Sequence, residues 1–139
     1  MRELLEKIGE HPINTEYGRF DLIGLACETP KQVVLCLIKR DVSETTPLVR
    51  VQYGCIHGSV FRSIDCDCGY QIDLALRLIV ESGNGVFIYF PDHEGTGVGL
   101  KKKIQLLEHE ITNSITPKRA ASELGVRIDD SSPLHVVPR

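Results

Sequence analysis

No run of apolar residues in this chain approaches the roughly 18 to 20 needed to span a bilayer. The opening MRELLEKIGEH also lacks the apolar core of a signal peptide. A cytoplasmic protein without a membrane partner is therefore expected. A surplus of positive charge is missing too: the formal net charge is −3 and the pI is near 5.9. Binders of a phosphate backbone carry a basic face, so no nucleic-acid partner is expected and a small molecule is favoured. Internal repeats, low-complexity segments and linkers are absent as well, which leaves residues 1–139 as a single domain. Within it, 42% hydrophobic and 25% charged residues match an ordinary globular chain able to form one core.

The segments RFDLIGLAC (19–27), QVVLCLIKR (32–40) and PLVRVQYG (47–54) are apolar and β-branched, and turn formers separate them. They predict three successive strands in an antiparallel meander. A helix is predicted from Gln71 to Glu81, with Ile72, Leu74, Leu76, Leu78 and Ile79 partly at helical spacing and Gly-Asn-Gly as its stop. GVFIYF (85–90) is a short strand whose continuous apolar run suits coverage on both faces. A glycine-rich loop then feeds a helix with Leu100, Ile104, Leu107 and Ile111 at helical spacing. TPKRAASELG (116–125) reads as a short helix with Thr116 as N-cap, Pro117 at the first position and Gly125 as stop. The fold class expected is α+β, a single domain of mainly antiparallel strands packed with helices.

Cysteine is the residue type that carries chemistry. Three of the five cysteines lie in CIHGSVFRSIDCDCGYQ, at Cys55, Cys66 and Cys68. Thiols in a reducing compartment serve as metal ligands or catalytic groups more readily than as disulfides. Zinc takes thiolate and imidazole ligands, and a catalytic zinc keeps one position for water or substrate. Cys66-Asp67-Cys68 can turn two sulfurs to one side, with Cys55 closing the site at the end of the preceding strand. The fourth place falls to water or to His57. Unrelated buried thiols or a redox role are the alternatives for the triplet, while Cys27 and Cys36 sit in apolar strands and read as core.

The segment LVRVQYGCIHGSVFRSIDCDCGYQI, the later EGTGVGLKKKI and a late ELG resemble the GTP cyclohydrolase II family over about Arg50 to Asp129. The resemblance implies a zinc enzyme in which three thiolates hold the metal, activated water attacks the purine carbon between two nitrogens, and formate leaves. It implies Cys55, Cys66 and Cys68 as zinc ligands, Arg50 and Gln71 as substrate contacts, and Glu94 with Gly95 in the substrate loop. It also implies a homodimer. A carboxylate beside an activated water can move its proton, which makes Glu94 a candidate proton shuttle. Asp129 matches the family's late acid, and His93 is a substitute acid/base or substrate contact.

The departures cluster on the phosphate-binding side. Gln52, Tyr53 and Gly54 stand where the family has histidine, serine and glutamate. Thr96 and Ser131 replace arginines, Leu107 replaces a tyrosine, and the family's later nucleotide-contacting threonine and lysine fall beyond Arg139. Threonine and serine cannot supply arginine's charge to a phosphate. Lys101 to Lys103 form either a solvated helix face or a compensating anion contact at the loop's helix N-terminus. Tyr53, Gln71, His93, Glu94 and Thr96 would then shape a different ring pocket. The expectation is a zinc-dependent cyclohydrolase opening a cyclic C–N bond in a small heterocycle without a triphosphate. The alternatives are GTP cyclohydrolase II itself, or a non-catalytic zinc-stabilised ligand-binding paralogue.

Overall fold

The central apolar run, GVFIYF, decides the sheet. The computed structural model describes residues 5–28, 31–40, 46–94 and 97–127, and the chain forms two compact units, 1–91 and 92–139. In the first unit β1 (Glu6–Thr15), β2 (Gly18–Glu28), β3 (Lys31–Lys39), β4 (Leu48–Tyr53) and β5 (Gly85–Phe90) form one sheet in the order β1-β2-β3-β5-β4. β2 and β3 pair antiparallel as predicted, with Ile23 opposite Cys36. The predicted meander does not continue into β4. Instead β5 lies between, antiparallel to β3 with Leu37 opposite Phe87, and parallel to β4 with Val51 opposite Ile88. A strand apolar on both faces suits the sheet interior, whereas β4, with Val49 and Val51 exposed, takes the edge.

β1 is a strand that the sequence pattern does not announce. EKIGEHPINT is polar, its side chains are mostly exposed, and Pro12 has no N–H to donate. As the other edge it needs only one partner, β2, and an edge is where proline is tolerated.

Between β4 and β5 come a single turn, α1 (Ile56–Ser59), and α2 (Cys68–Ser82). α2 begins earlier than predicted, at the third cysteine. It stops at Gly83, whose left-handed φ of 75° lets its N–H reach the Ile79 and Val80 carbonyls. Leu76 and Ile79 pack on Phe20 and Phe87 of the sheet to make the core. Leu74 and Leu78, from the same predicted stripe, face outward.

The second unit contains α3 (Gly99–Asn113) and α4 (Pro117–Glu123). Thr116 caps α4 as predicted, its hydroxyl accepting the Arg119 N–H at 3.3 Å. Leu106 packs on Ala120 and Ala121. The predicted stripe of α3 is largely outward: Leu100, Ile104 and Ile111 are exposed, and the buried positions are Lys103 and Leu106. The helical period was correct, but the face against α4 lies one position off the stripe. Strands and helices together bear out the α+β class. Among the described residues no helix is long and apolar enough to cross a membrane.

Candidate metal centre

The segment after β4 folds tightly because two glycines let backbone meet backbone. A Cβ on Gly58 would lie 2.7 Å from the Cys66 sulfur and 3.0 Å from the Cys68 Cβ. A Cβ on Gly69 would lie 2.4 Å from the Gly58 carbonyl oxygen. Glycine at both positions thus presses α1 onto the first turn of α2. Cys55 is the N-cap of α1 and Cys68 the first residue of α2, with Cys66 in the loop between them. Cys55 therefore lies just past the strand that the sequence placed it in.

The result is a cluster in which the Cys55, Cys66 and Cys68 sulfurs all lie within 4.8 Å of one another. Cys55 Sγ and Cys66 Sγ are 3.6 Å apart, and the Cys68 N–H points to Cys66 Sγ at 3.4 Å. A tetrahedral zinc with sulfur bonds of about 2.3 Å separates its sulfurs by about 3.8 Å, so the donor set fits that ion. Gathering three thiols disfavours the thiolate form at Cys68. Burial, then the neighbouring Cys66 and Cys55 sulfurs, push its pKa up to about 12. Three thiolates can share this space only around a positive charge. Among the described residues His57 does not join the cluster, and its buried Nδ1 has no hydrogen-bond partner there. Cys27 is buried and Cys36 half-buried, and neither is in a disulfide, in keeping with a core role.

A polar chain leads from the sheet to the cluster. Gln52, buried in β4, accepts from Arg50 Nη2 at 2.7 Å and Nε at 3.1 Å. Arg50 Nη2 also donates to Gln71 Oε1 at 2.8 Å, and Gln71 Nε2 donates to Asp67 Oδ2 at 2.7 Å. The two predicted substrate contacts are thus bonded to each other, and they tether the residue between two of the thiols. Arg50 and Gln71 also line a trough of about 240 Å³ whose other walls include Leu74 and Ala75. Tyr53 packs its ring on Phe90, with centroids 5.8 Å apart.

In the second unit the loop before α3 is pinned from within. Glu94 has a left-handed φ of 50°, and its Oε2 pairs with Lys103 Nζ at 2.9 Å, both side chains about nine-tenths buried. Glu94 is therefore not a solvated loop acid, and Lys103 does not belong to a solvated face, although Lys101 and Lys102 do. His93 is half-buried, and its carbonyl accepts the Gly97 N–H at 2.8 Å. Gly95, Thr96 and Asp129, the remaining predicted site residues, lie outside the described residues.

The sequence pattern missed Gly58, Gly69, Arg62 and Asp73, and it did not read Gln52 as a partner of Arg50 or Lys103 as a partner of Glu94. The glycines had a signal, since each stands within three residues of a metal-type cysteine. Lys103 had one too, three residues before Leu106 on the same helix face.

The α+β sheet thus carries, at the end of β4 and the start of α2, a cluster of three thiols that could hold a metal ion. The family is shown by comparison: residues 6–130 match the model of GTP cyclohydrolase II, and the chain belongs to that family. It is 40% identical over 103 residues to the GTP cyclohydrolase-2 of Archaeoglobus fulgidus, covering 73% of this chain and 27% of the relative. It is 37% identical over 102 residues to the GTP cyclohydrolase-2 of Actinobacillus succinogenes, covering 73% and 46%. With the riboflavin biosynthesis protein RibBA of Rhodococcus erythropolis it shares 35% identity over 128 residues, covering 88% and 30%. The chain thus spans less than half the length of these curated relatives.

Proposed function

We propose that this chain is a zinc-dependent cyclohydrolase that opens a cyclic C–N bond in a small heterocycle lacking a triphosphate. The observation that carries the reading is the donor set: among the described residues, three thiols at a spacing that suits zinc, where a structural zinc site uses four ligands. Cys55, Cys66 and Cys68 would hold the ion, which when bound supplies Lewis acidity and the activation of water. Gln52 and Gln71 fix the Arg50 guanidinium, so its charge is set before substrate arrives and costs no reorganisation then. Gln71 and Tyr53 orient the ring. Glu94, paired with Lys103 at 2.9 Å, accepts a proton; His93 and Asp129 are the further acid/base groups, and Gly95 and Thr96 contact substrate. Thr96 and Ser131 in place of arginines favour a substrate without the triphosphate. The whole chain acting as one domain, as a homodimer in the cytoplasm, completes the reading.

The test is a zinc-replete screen of cyclic amidines, ureido heterocycles, nucleobases and nucleotides, followed by ring absorbance and formate. Ring opening of a compound without phosphate, with GTP poor or inert, is expected. A second reading, hydrolysis of GTP itself, is favoured by the names of the relatives. Robust formate and pyrophosphate release from GTP would select it.

A further inference from the structure

The loop that carries Cys66 has no regular structure of its own. Between α1 and α2 its backbone is tied by the Ser63 N–H to the His57 carbonyl at 2.9 Å, and the Asp65 N–H reaches the Ser63 hydroxyl at 3.3 Å. These bonds, with the Val60 and Phe61 N–H groups on the Ile56 carbonyl at 3.0 and 3.1 Å and the Cys68 N–H on Cys66 Sγ at 3.4 Å, are local and tie the loop only to its own two ends. Arg62 stands in the middle of this loop with a left-handed φ of 55°. A non-glycine residue keeps that conformation where its surroundings hold it.

The hold is on α2. Arg62 Nη1 donates to Asp73 Oδ2 at 2.8 Å and Nη2 to Asp73 Oδ1 at 3.1 Å, a two-pronged pair. To get there the side chain crosses Gly69, where a Cβ would lie 2.7 Å from Nη1 and 3.3 Å from Cδ. Asp73 is itself held by the Tyr17 hydroxyl, which donates to Oδ1 at 2.6 Å from the β1–β2 turn. One carboxylate thus gathers the Cys66 loop, the helix that begins at Cys68, and the sheet.

We propose that Arg62 and Asp73 form a latch that positions Cys66 against Cys55 and Cys68 and so sets the affinity of the metal centre without touching the metal. This deepens the zinc reading above and rests on it for its effect on affinity. Both residues are positioning residues. The guanidinium is about half exposed, with side-chain exposures of 52% for Arg62 and 28% for Asp73, so the latch is adjustable by salt rather than sealed in the core.

The experiment compares the wild-type chain with Arg62→Gln, Asp73→Asn and the double variant. Zinc affinity is measured by competition with a chromophoric chelator, and amide exchange is measured on the metal-free chains. Zinc binding about tenfold weaker in each variant is expected, the low end for an outer-sphere support. The double variant should be no weaker than the single ones, because both remove the same pair. Cobalt(II)-loaded variants should show shifted thiolate and d–d bands, which a general loss of stability would not produce. In the metal-free chain the Ser63 amide should exchange faster while the second half of α2 keeps its protection. Equal zinc affinity in wild type and variants, with unchanged cobalt bands, overturns the latch. A wild type that binds no zinc overturns the zinc reading instead; the exchange data then judge the latch alone, and an unchanged Ser63 amide sinks it. Arg62→Lys covers misfolding of the other variants: it keeps the charge and loses the fork, and an intermediate affinity is expected.

Discussion

At the scale of single residues, the centre depends as much on what glycine omits as on what cysteine supplies. Cys66→Ser or Cys68→Ser should abolish most zinc binding, read as metal content per chain after dialysis. Gly58→Ala tests the space between the sulfurs. In a helix alanine is favoured over glycine by up to about 1 kcal/mol, yet here its methyl would enter the contact shell of Cys66 Sγ. Zinc affinity should drop at least about tenfold, whereas an unchanged affinity would show that the sulfurs move freely. His57→Ala should leave the zinc absorption spectrum unchanged, since His57 lies outside the sulfur cluster; loss of a nitrogen ligand would argue for a structural site. Asp73 and Tyr17 make a titration test. Arg62, then Tyr17, hold the Asp73 carboxyl below its ordinary range. Its contribution is therefore present above the unfolded value of about 3.9 and lost as pH falls through the lower folded one. Asp73 in turn raises Tyr17 from 10.0 to about 12, so that contribution is full below pH 10 and fades as pH rises toward 12. One of the four tyrosines should ionise late by ultraviolet absorbance, and Asp73→Asn should remove the delay.

At the scale of elements, the loop ahead of α3 and the helix itself are joined by the Glu94–Lys103 pair. Breaking a buried pair leaves one charge uncompensated, at a cost of about 3 to 5 kcal/mol. Lys103→Met should lower the denaturation midpoint of the protein accordingly. Glu94→Gln/Lys103→Met should recover much of the loss, because neither replacement leaves a buried charge without its counter-charge. If Glu94 also moves a proton, the double variant regains stability but not turnover; if its role is structural, both return together. Elements with a strong internal signal were legible in the sequence: β5 from its unbroken apolar run, α4 from its Thr-Pro start, and α2 from its period and glycine stop. β1 was not, because an edge strand with an exposed outer row has no need of alternating apolar residues. The outward turn of Leu100, Ile104 and Ile111 was not legible either, since period gives a face but not what lies against it.

At the scale of the whole molecule, zinc should act as a stabilising ligand of the unit that contains the cysteines. Binding to the folded form alone raises stability with the logarithm of free metal over its dissociation constant. Chelation should therefore lower the melting temperature of the wild type and leave that of Cys66→Ser unchanged. The three cysteines could be read as a cluster from spacing and residue type, and the structure brings all three sulfurs together. The polar chain from Gln52 to Asp67 could not, because it joins a strand to a helix about twenty residues on. Strand order was equally out of reach: nothing local in residues 47–54 reveals that their neighbour is made later.

That late neighbour has a consequence for how the chain is made. β1, β2 and β3 follow one another in the chain and pair antiparallel, so they can assemble as soon as they leave the ribosome. β4 ends at Tyr53, and β5, which must slide between it and β3, begins only at Gly85. At about 5 to 20 residues per second of synthesis, the apolar edge of β4 waits for seconds without its partner, and the three clustered cysteines emerge during that wait. Contacts this distant are the slow ones in folding. Stalled nascent chains ending before Gly85 should therefore show a protected three-stranded sheet with residues 48–53 open to protease, and those extended past Phe90 should close in one step.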